Sequence, residues 1–166
     1  MRHPSGVSDG DETQSIQVSF QLRPVNETWP PVPSERLWAQ PLGDGRFRIA
    51  STPWFISDIA IGDIVAAATR NDEAIWATDR LEASGNVTIR VIPRKDGPLW
   101  GDPQAVVDGF VALGAVAQGI NQHGILAFDI PASADLSAVK AFLVACAAQA
   151  NWYFEEGCVS DAWTSA

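Results

Sequence analysis

Three side chains offer the sharpest chemistry in this sequence: Arg90, Asp129 and Glu155, a guanidinium and two carboxylates that strand phasing places on one face of a sheet. Together they could hold a polar ligand or move a proton, provided a pocket excludes water. The same trio also reads as an ion-pair network that keeps the face soluble or ties it to a neighbouring sheet. Other catalytic classes find no residues. The two histidines, His3 and His123, fall in the N-terminal stretch and in a hairpin turn, without the carboxylates a two-histidine metal site needs. There is no G-x-S-x-G elbow, phosphate-binding glycine loop, dinucleotide fingerprint or H-E-x-x-H. Cys146 and Cys158 are too few for a disulfide scaffold or a zinc knuckle, and both phase toward the interior, where burial quiets a thiol. No metal and no cofactor is expected.

Seven tryptophans are the second unusual feature. Trp38, Trp54 and Trp76 are expected to fill a barrel, and Trp152 a sheet edge. Trp29 lies among prolines and Trp100 in a loop rich in Gly and Pro, so neither has an evident core to enter. These two are the candidate partner-contact residues, because an indole joins a large apolar face to a polar handle.

The elements that must position these residues follow from periodicity. Residues 1 to 14 hold one Val and one Met among polar, Gly and Pro residues, which predicts a mobile tail. "SIQVSFQLRP" alternates apolar and polar residues without a fault and predicts a half-buried strand. "VNETWPPVPSE" carries three prolines and reads as an extended connector. "RLWAQPL" and "RFRIAS" flank Gly43-Asp44-Gly45 as a hairpin, and "IVAAATR" with "AIWATDRLEA" forms a second about Asn71-Asp72. Gly62-Asp63 interrupts an apolar run and reads as a corner turn that drops the chain into the strand beginning at Ile64. A small antiparallel β-barrel-like sheet over residues 15 to 83 is the expectation.

From residue 84 to 163 strands alternate with helices. Val87, Ile89 and Val91 share one strand face, with Thr88 and Arg90 on the other. Asp102 and Asp135 are N-caps of two helices, the first with Pro103 at its start. "AVAQGI" and "ILAFDIP" form a hairpin about "NQHG", and "WYFEEGCVS" supplies a last strand, with Phe154 and Cys158 facing the helices. The order β-α-β-β-α-β is ferredoxin-like, giving an α+β chain of two subdomains. The first and third strands of this unit are expected to lie adjacent and parallel, with one sheet face left open. Arg90, Asp129 and Glu155 are expected to meet on that face.

Composition bounds the function. At 166 residues, 46% hydrophobic and 19% charged, the chain can bury a core. A net charge of −9 opposes a phosphate backbone, so nucleic acid is not an expected partner. No apolar run approaches the roughly 20 residues that span a bilayer, and the charged beginning lacks a secretory core, so no membrane partner and a cytoplasmic location are expected. The succession Trp29-Pro30, "SERLWAQPLGDGRFRI", "PWF", "IGDIV", "SGNVTIRV" and "EEGCVS" resembles the small bacterial proteins grouped as domain of unknown function 4265, over roughly residues 16 to 163. The family pattern has a histidine after Ser-Gly where this chain has Asn86. The resemblance implies no activity, cofactor or catalytic residue. The expected function is a non-enzymatic binding protein, accessory, regulatory or immunity-type, that holds a peptide or protein partner. The alternative is a small-molecule-binding protein or enzyme with its site between the two subdomains.

Overall fold

The computed structural model describes residues 14–166. The tail expected over residues 1 to 14, His3 included, lies outside the described residues except for Gln14. Alternation makes the first strand: β1 (Ile16–Gln21) sends Val18 and Phe20 inward and pairs antiparallel with β2 (Ser34–Gly43). Gly43, Asp44 and Gly45 all take positive φ, which turns the chain within two residues into β3 (Arg46–Ile49). The meander continues through β4 (Ile64–Thr69) and β5 (Ile75–Glu82), and the sheet closes where β5 meets β1. That closing pair, Ser19 with Trp76, is parallel. In a meander of five strands the first and last run the same way, so closure has no antiparallel option.

The barrel interior is filled by Val18, Phe20, Leu37, Ala39, Ile49 and Val65. The tryptophans expected there are elsewhere, because a five-stranded barrel is too narrow for indoles. Trp38 sits between inward Leu37 and Ala39 and is 50% exposed. Trp76 sits between inward Ile75 and Ala77 and faces outward, under the Arg70 guanidinium at 4.4 Å. Trp54 is half-buried in the loop between β3 and β4. Gly62-Asp63 is the expected corner: Gly62 has φ +85, and its N–H reaches the Ile49 carbonyl at 2.8 Å.

The second sheet comprises β6 (Val87–Pro93), β7 (Val116–Ile120), β8 (Leu126–Ile130) and β9 (Trp152–Cys158), in the order β7-β8-β6-β9. Helices α1 (Pro103–Val111) and α2 (Leu136–Ala148) connect them. Each helix starts where an aspartate accepts a backbone N–H: Asp102 from Ala105 at 3.1 Å and Asp135 from Ala138 at 3.0 Å. This is the expected βαββαβ order, with one correction: β6 and β8 pair antiparallel. The α1 crossover makes β7 follow the direction of β6, and the β7–β8 hairpin then reverses it. Val87, Ile89, Val91, Phe128, Val139 and Leu143 form the core under the helices. Trp152 joins it, its Nε1 donating to the Leu143 carbonyl at 3.2 Å. A short helix missed by periodicity, α3 (Asp161–Thr164), folds Trp163 into the same core.

One irregularity decides what faces the barrel. On β9, Cys158 pairs with Thr88 and Glu156 pairs with Ile89, which leaves Gly157 as the extra residue of a β-bulge. The bulge reverses the phase, so Cys158 points at the barrel instead of the helices, 3.5 Å from Arg80 Nη2. At Gly157 the Arg90 guanidinium lies so close that an added Cβ would sit 2.7 Å from its Cζ. Gly157→Ala is therefore expected to displace Arg90 and to cost about 1–3 kcal/mol by overpacking, read as a lower urea midpoint in equilibrium unfolding. An unchanged midpoint would contradict this close packing.

Candidate functional site

Residues 52–59 leave the barrel after β3 and cross the open face of the second sheet before β4 begins. Glu35 lies on β2 in the inward phase of Leu37 and Ala39, at the barrel mouth, and is 7% exposed. Its carboxylate accepts the backbone N–H groups of Trp54, Phe55 and Ile56, the latter two at 2.9 Å. From the sheet side, Arg90 on β6 donates to the carbonyls of Pro53, Phe55 and Ile56 at 3.3, 3.5 and 3.1 Å. The strap is thus gripped by a carboxylate at its N–H groups and by a guanidinium at its carbonyls, which aligns its peptide dipoles between opposite charges. Thr88 Oγ1 donates to the Ile59 carbonyl at 3.1 Å, and Asp58 N–H to the Gly157 carbonyl at 2.8 Å. Among the described residues no buried side-chain nitrogen or oxygen lacks a partner.

The structure brings Arg90 and Glu155 together and sets Asp129 apart. Arg90 Nε donates to Glu155 Oε2 at 2.8 Å, the two residues being register partners on β6 and β9. Asp129 on β8 is opposite Thr88, and Ala127 is opposite Arg90. Its oxygens accept from Asn86 Nδ2 at 3.1 and 3.3 Å, while Asn86 Oδ1 accepts the Ala132 N–H. A second buried cluster lies beyond it. Asp63 accepts the N–H groups of Ala60 and Ser84 and pairs with Arg80 Nε at 2.8 Å. Burial pushes the Asp129 carboxyl up to about 6; the Asn86 hydrogen bond opposes the rise and the Asp63 charge adds to it. Burial likewise pushes the Cys158 thiol up, against the pull of Arg80.

The open face that the strap leaves uncovered is a groove. Trp29 stands at one end, edge-on to Phe55 with ring centroids 5.6 Å apart. Beneath it is a cavity of about 200 Å³ lined by Trp29, Ile92, Tyr153, Arg90 and Glu155. Ile92 and Tyr153 continue into a second hollow of about 480 Å³ that ends at Trp100 and His123. Trp100 is 55% exposed and Tyr153 60% exposed. Arg94 lies 5.0 Å from the Tyr153 ring centre and Lys95 5.8 Å from that of Trp100. On its other side Trp29 borders a third hollow of about 400 Å³, with Phe55, Asp58 and Glu155. Both tryptophans singled out in the sequence line this groove. Tyr153 and Ile92, its floor, were legible as outward residues of β9 and β6. Glu35 was hidden by its place just after the proline run.

The raised Asp129 carboxyl carries a pH signature with a definite sign. Its folded-state value of about 6 exceeds the ordinary aspartate value of 3.8, so the folded protein holds this proton more tightly. The resulting stabilisation is complete below about pH 4 and is lost as pH rises through 6. Asp129→Asn is expected to raise stability at pH 7.5 by about 1–3 kcal/mol, and the gain should vanish at pH 4. Urea unfolding at both pH values checks it, and a gain of equal size at pH 4 and pH 7.5 would contradict it.

A solved structure, that of a hypothetical protein from Neisseria gonorrhoeae, is similar with a TM-score of 0.72 and 20% sequence identity, covering 89% of this chain and 96% of that chain. Likeness at that identity shows a shared fold. No curated protein matches this sequence. The family model for a domain of unknown function, DUF4265, matches residues 35–154, from the strap-binding Glu35 to the first three residues of β9, and the chain belongs to that family.

Proposed function

We propose that this is a non-enzymatic binding protein, accessory, regulatory or immunity-type, that holds an extended peptide segment of a partner protein in the groove between Trp29 and Trp100. The observation that carries this reading is the line of half-exposed apolar side chains, Trp29, Ile92, Tyr153 and Trp100, whose two middle members stand on the paired strands β6 and β9. Aromatic anchors on a fixed scaffold suit a partner's side chains, since little conformational freedom is lost on contact. The charged groups beneath are committed elsewhere: Arg90 donates four hydrogen bonds to Glu155 and the strap. An enzyme or small-molecule site on Arg90 would need that grip released. The cavity beside Arg90, about 200 Å³, is also below the roughly 300–1,000 Å³ usual for small-molecule sites. The charge of −9 favours a protein over a nucleic acid, and two free cysteines fit a cytoplasmic setting.

Panning a random heptapeptide library against the full chain tests the reading. Selected peptides are expected to lose about tenfold or more in affinity on Trp100→Ala and on Tyr153→Ala. Both side chains are exposed, so the unfolding midpoint should stay within about 0.5 kcal/mol of the parent. Peptides indifferent to both substitutions, or no peptides at all, would overturn it.

A further inference from the structure

Resting on the peptide-binding reading, we propose that the Trp29 end of the groove is a slot for a basic side chain, lysine or arginine, carried by the partner. Glu155 borders both hollows that flank Trp29. Its Oε2 is fixed by Arg90 at 2.8 Å, whereas Oε1 accepts no hydrogen bond from the described residues. Asp58, exposed in the larger hollow, makes no ion pair among the described residues. Its backbone is pinned to the Gly157 carbonyl, so its carboxylate projects from a fixed point.

Cations of this chain also face the two hollows, Arg23 the larger and Arg90 the smaller. Net charge is therefore not what selects the guest; the balance of donors and acceptors is. In the smaller hollow the Arg90 donors are directed at protein oxygens while Glu155 Oε1 stays open, so there the slot is matched by a group that only donates; in the larger hollow Asp58 faces the guest together with Arg23. Trp29 and Phe55 supply the apolar walls along which a lysine or arginine stem can lie. An ammonium or guanidinium between an indole and a carboxylate gains from both. The same chain already sets cations over aromatic rings, with Arg94 over Tyr153, Lys95 over Trp100 and Arg70 over Trp76. At longer range, the −9 charge draws a basic segment toward the surface.

Two immobilised random-heptapeptide libraries of equal size separate the outcomes, one containing Lys and Arg and one with Met in place of both. Peptides selected by the full chain are expected to come from the first library and to weaken about tenfold when their basic residue becomes Met. Glu155→Gln and Asp58→Asn should each reproduce part of that loss. Because the Lys-to-Met exchange leaves the protein untouched, the slot is testable even if Glu155→Gln unfolds it. Peptides drawn equally from both libraries, yet lost on Tyr153→Ala, would overturn the basic slot and leave the groove standing. Failure of both libraries to yield peptides would overturn slot and groove together.

Discussion

The molecule turns on the grip of two opposite charges on one short strap. Glu35 holds the N–H groups of Trp54, Phe55 and Ile56, and Arg90 holds the carbonyls of Pro53, Phe55 and Ile56. Neither charge could lie so deep without those bonds, since an unpaired buried ion costs several kcal/mol. The strap in turn could not lie across a sheet without partners for its peptide groups. Each therefore requires the other. Because Glu35 belongs to the barrel and Arg90 to the second sheet, the same bonds join the two halves.

From that joint the groove follows. With Arg90 gripping the strap, Glu155 is held on its Nε, and the next outward pair along the two strands, Ile92 and Tyr153, is left uncovered. The strap also places Phe55 against Trp29 at one end and against His123, with ring centroids 5.9 Å apart, at the other. The clamp thus fixes where Phe55 stands in the groove wall. Beyond the clamp, Asp63 and Arg80 fasten the end of the barrel to the linker at Ser84, and Asn86 carries that order on to Asp129. The two junctions differ in character: every charge at the clamp has an opposite partner or several peptide groups, whereas Asp129 has chiefly an amide.

Much of this was legible in the residues. The alternation of Val87, Ile89 and Val91, the aspartate caps at 102 and 135, and the pairing of Arg90 with Glu155 all follow from local periods and side-chain chemistry. Two of the errors come from non-local events that no period reports, and the others from local signals too short or too easily misread to stand out. A bulge at Gly157 reversed Cys158, because strict twofold phasing has no means of counting an extra residue. Asp129 fell two residues from Arg90 along the sheet, since the register of β8 against β6 is set by packing between strands distant in sequence. The helix at Asp161–Thr164 is too short to show a helical period, although its buried Trp163 and its Ser160 cap are both in the sequence. Glu35 sat beside prolines that read as a connector, yet a carboxylate in the inward phase of Leu37 and Ala39 is a sign of a buried partner.

Hydrogen exchange at the strap tests the central claim most directly. Arg90→Lys keeps the charge but removes the planar fork that reaches three carbonyls at once. The account predicts that the amides of Trp54, Phe55 and Ile56 are protected in the parent protein and exchange about a hundredfold faster in Arg90→Lys, while the amides of β1 and β2 keep their protection. Strap amides that exchange at the same rate in both proteins would show that Arg90 does not hold the segment.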